Sequence, residues 1–268
     1  MFERHQKILE ILSNTQSVSV ARLSEILSVS AVTIRNDLTQ LEQLGRIQRT
    51  HGGALLAEDR TRLEFTFATR KASNAEAKRR IGELAARLVR SSDSILLDSS
   101  TTALAVGQAL KRCTDLRDVT LVTTGVWTAL EMLGAPGIQV YLLGGALRET
   151  TGSITGAISI EVLQQFHFNR VFLGASGLTL EEGLTDLPLA EVEVKRAVVA
   201  RAQEVVAVVD GSKFGRLAVA SFAAVAQVRR VVTDDTAPAW IVEQLRARSV
   251  QVLQTEAEAA PNLTNSNP

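Results

Sequence analysis

Several residue types are scarce in this sequence, and each scarcity excludes a class of protein. Cys113 is the only cysteine among 268 residues, which excludes an intramolecular disulfide framework and a cysteine-rich zinc site and favours a reducing cytoplasm. The three histidines, His5, His51 and His167, lie far apart without acidic partners at ligand spacing. No apolar run approaches about 18 residues, and the N-terminus has no signal-peptide pattern. We therefore expect a cytoplasmic protein with no metal, no cofactor and no membrane segment.

Near the N-terminus, the sequence has the pattern of two short helices joined by a tight turn. Ser19 and Ser30 each precede a stretch with helical apolar spacing, and serine is a favourable helix N-cap. Gly45 is placed to end the second helix. The pattern predicts a first helix over residues 20–27 and a helix-turn-helix over about residues 20–44.

The second of these helices has two different faces. Ile34, Leu38 and Leu41 fall at helical spacing and predict a stripe that packs inward. The opposite face is polar with few acids, and Thr, Arg and Asn side chains can contact phosphates or base edges in the major groove. The alternative is an ordinary amphipathic hairpin whose polar face is only solvated. The candidate DNA contacts here are Ser30, Thr33, Arg35, Asn36 and Thr39.

A short basic segment, GRIQRTHGGA, follows the second helix. The alternation around Ile47 predicts a strand, and Gly52 and Gly53 allow the turn-like backbone that ends it. This pattern is typical of a wing beside a helix-turn-helix. The candidate DNA contacts in the wing are Arg46, Arg49 and His51.

The segment TIRNDLTQLEQLGRIQRTHGGA closely resembles the signature of the DeoR family of bacterial transcriptional regulators. In that signature a Thr-Ile-Arg-Arg-Asp-Leu helix is followed by Arg-x-His-Gly-Gly-Ala. This chain has Asn36 where the family usually has its second arginine. The resemblance implies that a winged helix-turn-helix domain binds double-stranded operator DNA.

The charge distribution agrees with a DNA-binding N-terminal end. Residues 1–80 carry 13 Lys and Arg against 9 Asp and Glu, although the whole chain has 29 of each. This excess is modest for a DNA-binding protein, because phosphate contacts supply much of the affinity. We therefore expect a homo-oligomer that places two or more such domains on one DNA.

After residue 75, short apolar stretches alternate regularly with helical ones. Several of these stretches are apolar throughout, as expected for strands covered on both faces, so we predict a mainly parallel sheet with helices on each side. The predicted strands are 94–98, 120–124, 139–143, 170–174, 205–210, 230–233 and 250–253. The predicted organisation is a DNA-binding domain over 1–57, a linker over 58–74, an α/β domain over 75–253 and a disordered tail over 254–268.

Polar groups gather where the predicted strands end, which is where ligands bind in such sheets. Asp98 is followed by four hydroxyl residues at the start of a helix, a favourable phosphate cradle that is equally an ordinary helix cap. The third strand ends in Gly144 and Gly145, whose backbone can approach a ligand closely. The fifth is followed by Lys213, which can reach a phosphate.

A further pair, Glu191 and Lys195, shares one face of a predicted helix. This spacing is typical either of an exposed ion pair or of a polar pair that faces a ligand. The sequence alone leaves both alternatives open.

The segments AKRRIGELAARLVRSSDSILLDSSTTA, LLGGALR, FLGASG, AEVEVKRA and DGSKFG resemble, in this order, the DeoR-family sugar-phosphate sensor domain. The resemblance covers about residues 3–234 and extends more remotely to ribose-5-phosphate isomerase. The family often has Asp-Ser-Gly-Thr-Thr where this chain has Ser100 at the third position. The resemblance to the sensor domain implies that the effector's phosphate is held by Ser99, Ser100, Thr101 and Thr102. It also implies that its sugar is surrounded by Asp98, Gly144, Gly145, Asp186, Glu191, Lys195 and Lys213.

These observations predict a DNA-binding transcriptional regulator, most often a repressor in such families, of a carbohydrate-metabolism operon and controlled by a phosphorylated sugar. The alternative is a sugar-phosphate isomerase with an accessory DNA-binding domain. Isomerisation needs a carboxylate base at the carbon that loses its proton. In the isomerase pattern an Asp-Gly-Ala-Asp segment supplies acids where this chain has Gly174-Ala-Ser-Gly177, so we expect no enzymatic activity, although Glu191 could still act as a base.

Overall fold

Two serines begin the helix pair near the N-terminus of the protein, whose computed structural model describes residues 2–15, 17–43, 47–50, 52–56 and 67–256. The Ser19 hydroxyl accepts a hydrogen bond from the Arg22 backbone N–H at 3.2 Å, and the Ser30 hydroxyl accepts one from the Thr33 backbone N–H at 3.1 Å. Each serine satisfies an amide that the first helical turn leaves without an intrahelical acceptor. The predicted helix-turn-helix is confirmed. The predicted end of its second helix, at residues 44–45, lies outside the described residues.

The unit Met1–Arg70 combines helices with a small antiparallel sheet. Its elements are α1 (Phe2–Thr15), β1 (Ser17–Ser19), α2 (Val20–Leu27), α3 (Ala31–Gln43), β2 (Ile47–Thr50) and β3 (Gly53–Leu56). The strand order is β1-β3-β2, so the wing is a hairpin. The prediction that Gly52 and Gly53 end its strand was incomplete, because Gly53 begins the returning strand. The short strand β1 was not predicted.

The inward stripe of α3 is confirmed. Ile34, Leu38 and Leu41 are all buried, at most 2% exposed. They pack in one cluster with apolar residues of the other elements of this unit, among them Ile8, Leu12, Leu23 and Ile47. Burying one such side chain contributes about 1.5–3 kcal/mol, so this stripe fixes which face of α3 remains outside.

The unit Lys71–Pro268 is built on a seven-stranded sheet. Its helices are α4 (Phe67–Ala72, which crosses the boundary between the units), α5 (Ala75–Ala86), α6 (Thr101–Lys111), α7 (Val126–Glu131), α8 (Ala157–Leu163), α9 (Leu189–Ala200) and α10 (Ala239–Ala247). Its strands are β4 (Ser94–Leu97), β5 (Val119–Thr123), β6 (Ile138–Leu142), β7 (Ala146–Arg148), β8 (Ser153–Thr155), β9 (Arg170–Leu173), β10 (Gly177–Thr179), β11 (Gly183–Asp186), β12 (Val205–Val208), β13 (Ala220–Ala223), β14 (Arg230–Thr233) and β15 (Gln251–Gln254).

The large sheet has the order β15-β14-β12-β9-β4-β5-β6, and every neighbouring pair is parallel. Apolar side chains leave it on both faces. Leu97 packs in a cluster with Ile81 of α5 and Val106 of α6, whereas the adjacent Leu96 packs in a cluster with Val192 of α9. The predicted α/β fold with a doubly covered parallel sheet is confirmed, and each of its seven strands overlaps a predicted one.

Several elements differ from the prediction. The hairpin β7–β8 and the antiparallel sheet β10-β11-β13 were missed, because their short strands mix apolar with polar or small residues and lack the apolar runs that marked the strands of the large sheet. Within the predicted linker 58–74, α4 is a helix, and residues 57–66 lie outside the described residues. Of the predicted tail 254–268, Gln254 ends β15, and residues 257–268 lie outside the described residues.

One buried acid ties α3 to α1. The Asp37 carboxylate, 2% exposed, accepts hydrogen bonds from Arg4 Nε at 2.5 Å and Nη2 at 3.0 Å, and lies 3.2 Å from His5 Nε2. Burial alone would raise the pKa of Asp37, but the hydrogen bonds and charge of Arg4, with His5, hold that pKa below its usual range. Asp37 therefore orients α3 from within, although it belongs to the same motif as the polar outer face.

We expect Asp37→Asn to weaken the N-terminal unit, because the substitution keeps the shape and removes the charge that Arg4 and His5 bind. The loss should be about 1–3 kcal/mol, measured in the full chain as faster hydrogen exchange of α3 amides. Glu25→Gln is the matched control, since the Arg22–Glu25 pair is largely exposed and contributes little. Equal exchange in both variants would contradict an anchoring role for Asp37.

Candidate functional sites

The outer face of α3 carries the predicted DNA contacts. Ser30, Arg35 and Asn36 are exposed, and Thr33 and Thr39 are half-buried. The Thr39 hydroxyl donates to the Arg35 backbone carbonyl at 2.9 Å. The guanidinium of Arg35 and the amide of Asn36 are therefore displayed on a helix that the core holds from behind.

The wing is attached to α3 through Arg49. Its backbone N–H donates to the Glu42 carboxylate at 3.2 Å, and its Nη1 donates to the Thr39 hydroxyl at 3.2 Å. These contacts place one predicted DNA contact of the wing beside one of the helix. The other two in the wing, Arg46 and His51, lie outside the residues whose side chains the structure describes.

A second site surrounds Lys195 of α9. Its Nζ donates to Asp186 Oδ2 at 2.5 Å and to the Gly174 carbonyl oxygen at 2.8 Å, and lies 3.0 Å from Asp98 Oδ2. The Phe222 ring centroid lies 4.9 Å from the same ammonium. Asp98 follows β4, Gly174 follows β9 and Asp186 ends β11, so one ammonium joins three strand ends.

The side chains of Lys195, Asp98 and Asp186 are all buried. Their charges are therefore stabilised mainly by one another. Burial alone would raise the pKa of Asp186, but the charge of Lys195 and hydrogen bonds from Lys195 and Ser176 hold that pKa below its usual value. Burial would lower the pKa of Lys195, but Asp186, Asp98 and Glu191 raise it above its usual value. Near neutral pH the site therefore holds an ammonium against carboxylates.

Glu191 lies one turn before Lys195 on α9, and its contacts lead to the hairpin β7–β8. Its Oε1 accepts from Ser153 Oγ at 2.6 Å and from Thr151 Oγ1 at 3.1 Å, and Arg148 Nε lies 3.4 Å away. The alternative of an exposed Glu191–Lys195 ion pair is therefore wrong, because both side chains are buried. Sequence reasoning missed Arg148, Thr151 and Ser153, although the hydroxyl-rich turn between the two strands was a usable signal.

Asp98 also sets the start of α6. Its Oδ1 accepts from the Ser100 N–H at 2.9 Å and its Oδ2 from the Gly174 N–H at 2.9 Å. The Ser100 hydroxyl accepts from the Ala103 N–H at 3.1 Å, so Ser100 is the helix cap. Thr101 and Thr102 begin α6, whose N-terminus favours an anion through its first amides and its dipole.

The glycines of the site differ in how much space surrounds them. At Gly145, with φ 147°, a Cβ would lie 2.3 Å from Ser159 Oγ, so packing against α8 requires glycine there. At Gly144 no atom lies within 4 Å of that position, which leaves its surface open. At Gly174 a Cβ would lie 2.4 Å from Ser100 Oγ, so the Ser100 side chain fills the space above Gly174.

Four predicted effector residues line one small cavity of about 10 Å³: Asp98, Ser99, Glu191 and Lys195. This volume is about the space of one water molecule. Lys213 lies at the end of a 3-10 turn after β12, where its charge helps to lower the pKa of Asp210 against the raising effect of burial. The described residues hold no group of three or more His, Cys, Asp or Glu side chains placed to bind a metal ion.

An exposed helix-turn-helix face and a buried polar site at the strand ends define a ligand-responsive DNA-binding regulator. Two family models match the chain: the DeoR-like helix-turn-helix domain over residues 4–60 and the DeoR C terminal sensor domain over residues 73–235. The chain belongs to the DeoR family of transcriptional regulators and is therefore a DNA-binding regulator, not an enzyme.

Named relatives match nearly the whole chain. The HTH-type transcriptional regulator GolR of Listeria innocua is 37% identical over 87% of this chain and 91% of its own length. The glycerol-3-phosphate regulon repressor of Escherichia coli is 32% identical over 93% of this chain and 97% of its own length. The transcriptional repressor AccR of Agrobacterium fabrum is 32% identical over 92% and 96%.

Among solved structures, ribose 5-phosphate isomerase from Plasmodium falciparum is 17% identical, with a TM-score of 0.38 over 51% of this chain and 52% of its own. At this level the structural match is too weak to indicate function. In the part of the chain that the structure describes, no helix is long and apolar enough to cross a membrane.

We expect Lys195→Met to destabilise the protein by about 3–5 kcal/mol, because it leaves the buried Asp98 and Asp186 carboxylates without their cation. Burial would then raise the pKa of Asp186, which Lys195 otherwise lowers, so the loss should shrink as the pH falls towards the range in which that carboxylate protonates. Denaturant unfolding at pH 7.5 and 5, followed by tryptophan fluorescence, measures both effects. Arg79→Met, which removes an exposed cation, should change neither, and a Lys195→Met loss that does not depend on pH would contradict this charge assignment.

Proposed function

We propose that this protein represses a carbohydrate-metabolism operon in the cytoplasm and is released from its operator by a phosphorylated sugar. The observation that carries the proposal is the buried cluster of Lys195 with Asp98 and Asp186 beside the N-terminus of α6. Carboxylates accept hydrogen bonds from sugar hydroxyls, and a helix N-terminus binds phosphate. The names of the relatives, one of them a glycerol-3-phosphate regulon repressor, support both the repressor activity and the kind of effector.

The charges of the site favour one orientation of the effector. Asp98, Asp186 and Glu191 bring three negative charges, against two positive ones from Arg148 and Lys195. The interior is therefore negative by one charge, which disfavours a phosphate there and favours hydroxyl groups. We place the phosphate at the start of α6 and the sugar towards the carboxylates. The proposed effector contacts are Asp98, Ser99, Ser100, Thr101, Thr102, Gly144, Gly145, Asp186, Glu191, Lys195 and Lys213.

The proposed DNA contacts follow from the exposed face of α3 and the basic wing. A helix of this kind enters the major groove, while the wing meets phosphates. One such small unit offers few phosphate contacts, so we also propose that the protein acts as a homo-oligomer on a repeated half-site. The proposed contacts are Ser30, Thr33, Arg35, Asn36, Thr39, Arg46, Arg49 and His51.

We expect Arg35→Ala to weaken operator binding by about 1–3 kcal/mol, or roughly 5- to 150-fold, because a bidentate arginine contact to a base is lost. The operator is first selected from random duplexes with the full chain, and the affinities are measured at fixed salt. Lys7→Ala removes the same charge from an exposed position of α1 and should have a much smaller effect. Equal losses would mean that Arg35 contributes only charge.

We expect Lys213→Ala to weaken effector binding roughly 10- to 150-fold and to leave operator binding without effector unchanged. The estimate takes a charge-assisted hydrogen bond as about 1.5–3 kcal/mol. The effector is identified by thermal shift with phosphorylated sugars and their unphosphorylated counterparts, since a ligand of the native state raises its apparent stability. Thr101→Ala should have a smaller effect, and Lys111→Ala is the charge-matched control. Unchanged effector affinity in Lys213→Ala would remove that residue from the site.

A further inference from the structure

One edge strand of the seven-stranded sheet, β6, carries no charged side chain, and its exposed residues are Gln139, Tyr141 and Leu142. The exposed apolar side chains on β6 and α7, with that of Leu133 two residues after α7, form what we call the β6 edge patch. Each member is at least 41% exposed. The patch consists of Trp127, Leu130, Leu133, Tyr141 and Leu142. The one acid of α7, Glu131, is directed away from the patch, since its carboxylate accepts from Gln108 of α6 at 3.2 Å.

The backbone of β6 also has hydrogen-bonding groups that face away from the sheet. The Leu143 N–H donates to the Thr123 carbonyl, and the Gly137 carbonyl accepts from the Val119 N–H, so odd-numbered residues of β6 face β5. Alternation along the strand then directs the N–H and C=O groups of Val140 and Leu142 outward. The described residues place no strand on that side of β6.

The opposite edge of the same sheet is different. On β15 the exposed side chains are Gln251 and Gln254, and both are covered by basic side chains. Arg230 Nε donates to Gln251 Oε1 at 2.6 Å, and Arg246 Nη2 donates to Gln254 Oε1 at 3.3 Å. Charged side chains are a usual protection of an edge against pairing; the basic groups of Arg230 and Arg246 lie at the β15 edge, whereas β6 itself carries no charged residue.

We propose that the β6 edge patch pairs with the same patch of a second copy of this chain, which rests on the proposal that the protein acts as a homo-oligomer. A two-fold axis beside Tyr141 runs the two strands antiparallel. It places Val140 opposite the partner subunit's Leu142, and Leu142 opposite the partner subunit's Val140, so the outward backbone groups satisfy one another. Because the patch has no charge, two copies meet without repulsion and bury their apolar side chains.

The test uses two charged variants of the full chain, Leu130→Lys with Leu133→Lys and Leu130→Glu with Leu133→Glu. Both positions are more than half exposed, so the fold should be kept. Sedimentation velocity should show that each variant alone has a dissociation constant for self-association raised at least about tenfold. A mixture of the two should associate again, because opposite charges then meet. That recovery also shows that the variants are folded.

Trp240→Glu is the matched control, since Trp240 is 63% exposed on α10, beside the opposite edge, and it should keep the wild-type mass. If both double variants remain oligomeric, the pairing of the β6 edge patches is overturned, whereas the proposal of a homo-oligomer is kept. A monomeric wild-type chain would overturn both and leave the edge to a different protein. No association in the mixture of the two variants would also overturn the proposal.

Discussion

The sensor unit depends on the buried ammonium of Lys195, which is bound to the ends of three strands. Its partners come from segments far apart in the sequence, Asp98, Gly174 and Asp186. Without that cation the buried carboxylates of Asp98 and Asp186 would lack a compensating charge, which is costly in a protein interior. The start of α6 follows from the same arrangement, because the Asp98 carboxylate that faces Lys195 also accepts from the Ser100 amide.

A buried charge network of this kind is a poor means of stabilisation. Removing charged groups from water costs several kcal/mol for each ion, and well-packed apolar residues of the same volume often give equal or greater stability. Its advantage is that oxygen atoms are held in fixed orientations at the carboxyl ends of the strands. Glu191 shows the same principle, since two hydroxyls and Arg148 fix its carboxylate. Such fixed acceptors suit the recognition of hydroxyl groups better than they suit stability.

The sequence was sufficient for elements whose signals are local. Helix caps at Ser19 and Ser30 predicted the helix pair, and short runs of mainly apolar residues predicted all seven strands of the parallel sheet. It was insufficient where pairing partners are distant. The i, i+4 spacing put Glu191 and Lys195 on one helix face, but only the fold shows that Lys195 binds Asp186 and that Glu191 binds Ser153. A short hairpin such as β7–β8 acquires its conformation from these contacts.

The size of the cavity constrains how a sensor of this kind can respond. About 10 Å³ beside Lys195 and Glu191 holds one water molecule, and a sugar phosphate is far larger. We therefore infer that an effector that uses these carboxylates binds a conformation in which this cavity is wider. Its affinity for the two conformations then differs, and that difference is the only means by which a ligand can shift an equilibrium. The hairpin β7–β8 lines this cavity with Ser153 and Ile154 and contacts Glu191 through the Thr151 and Ser153 hydroxyls, so a change in its position would alter both the cavity and the orientation of the Glu191 carboxylate.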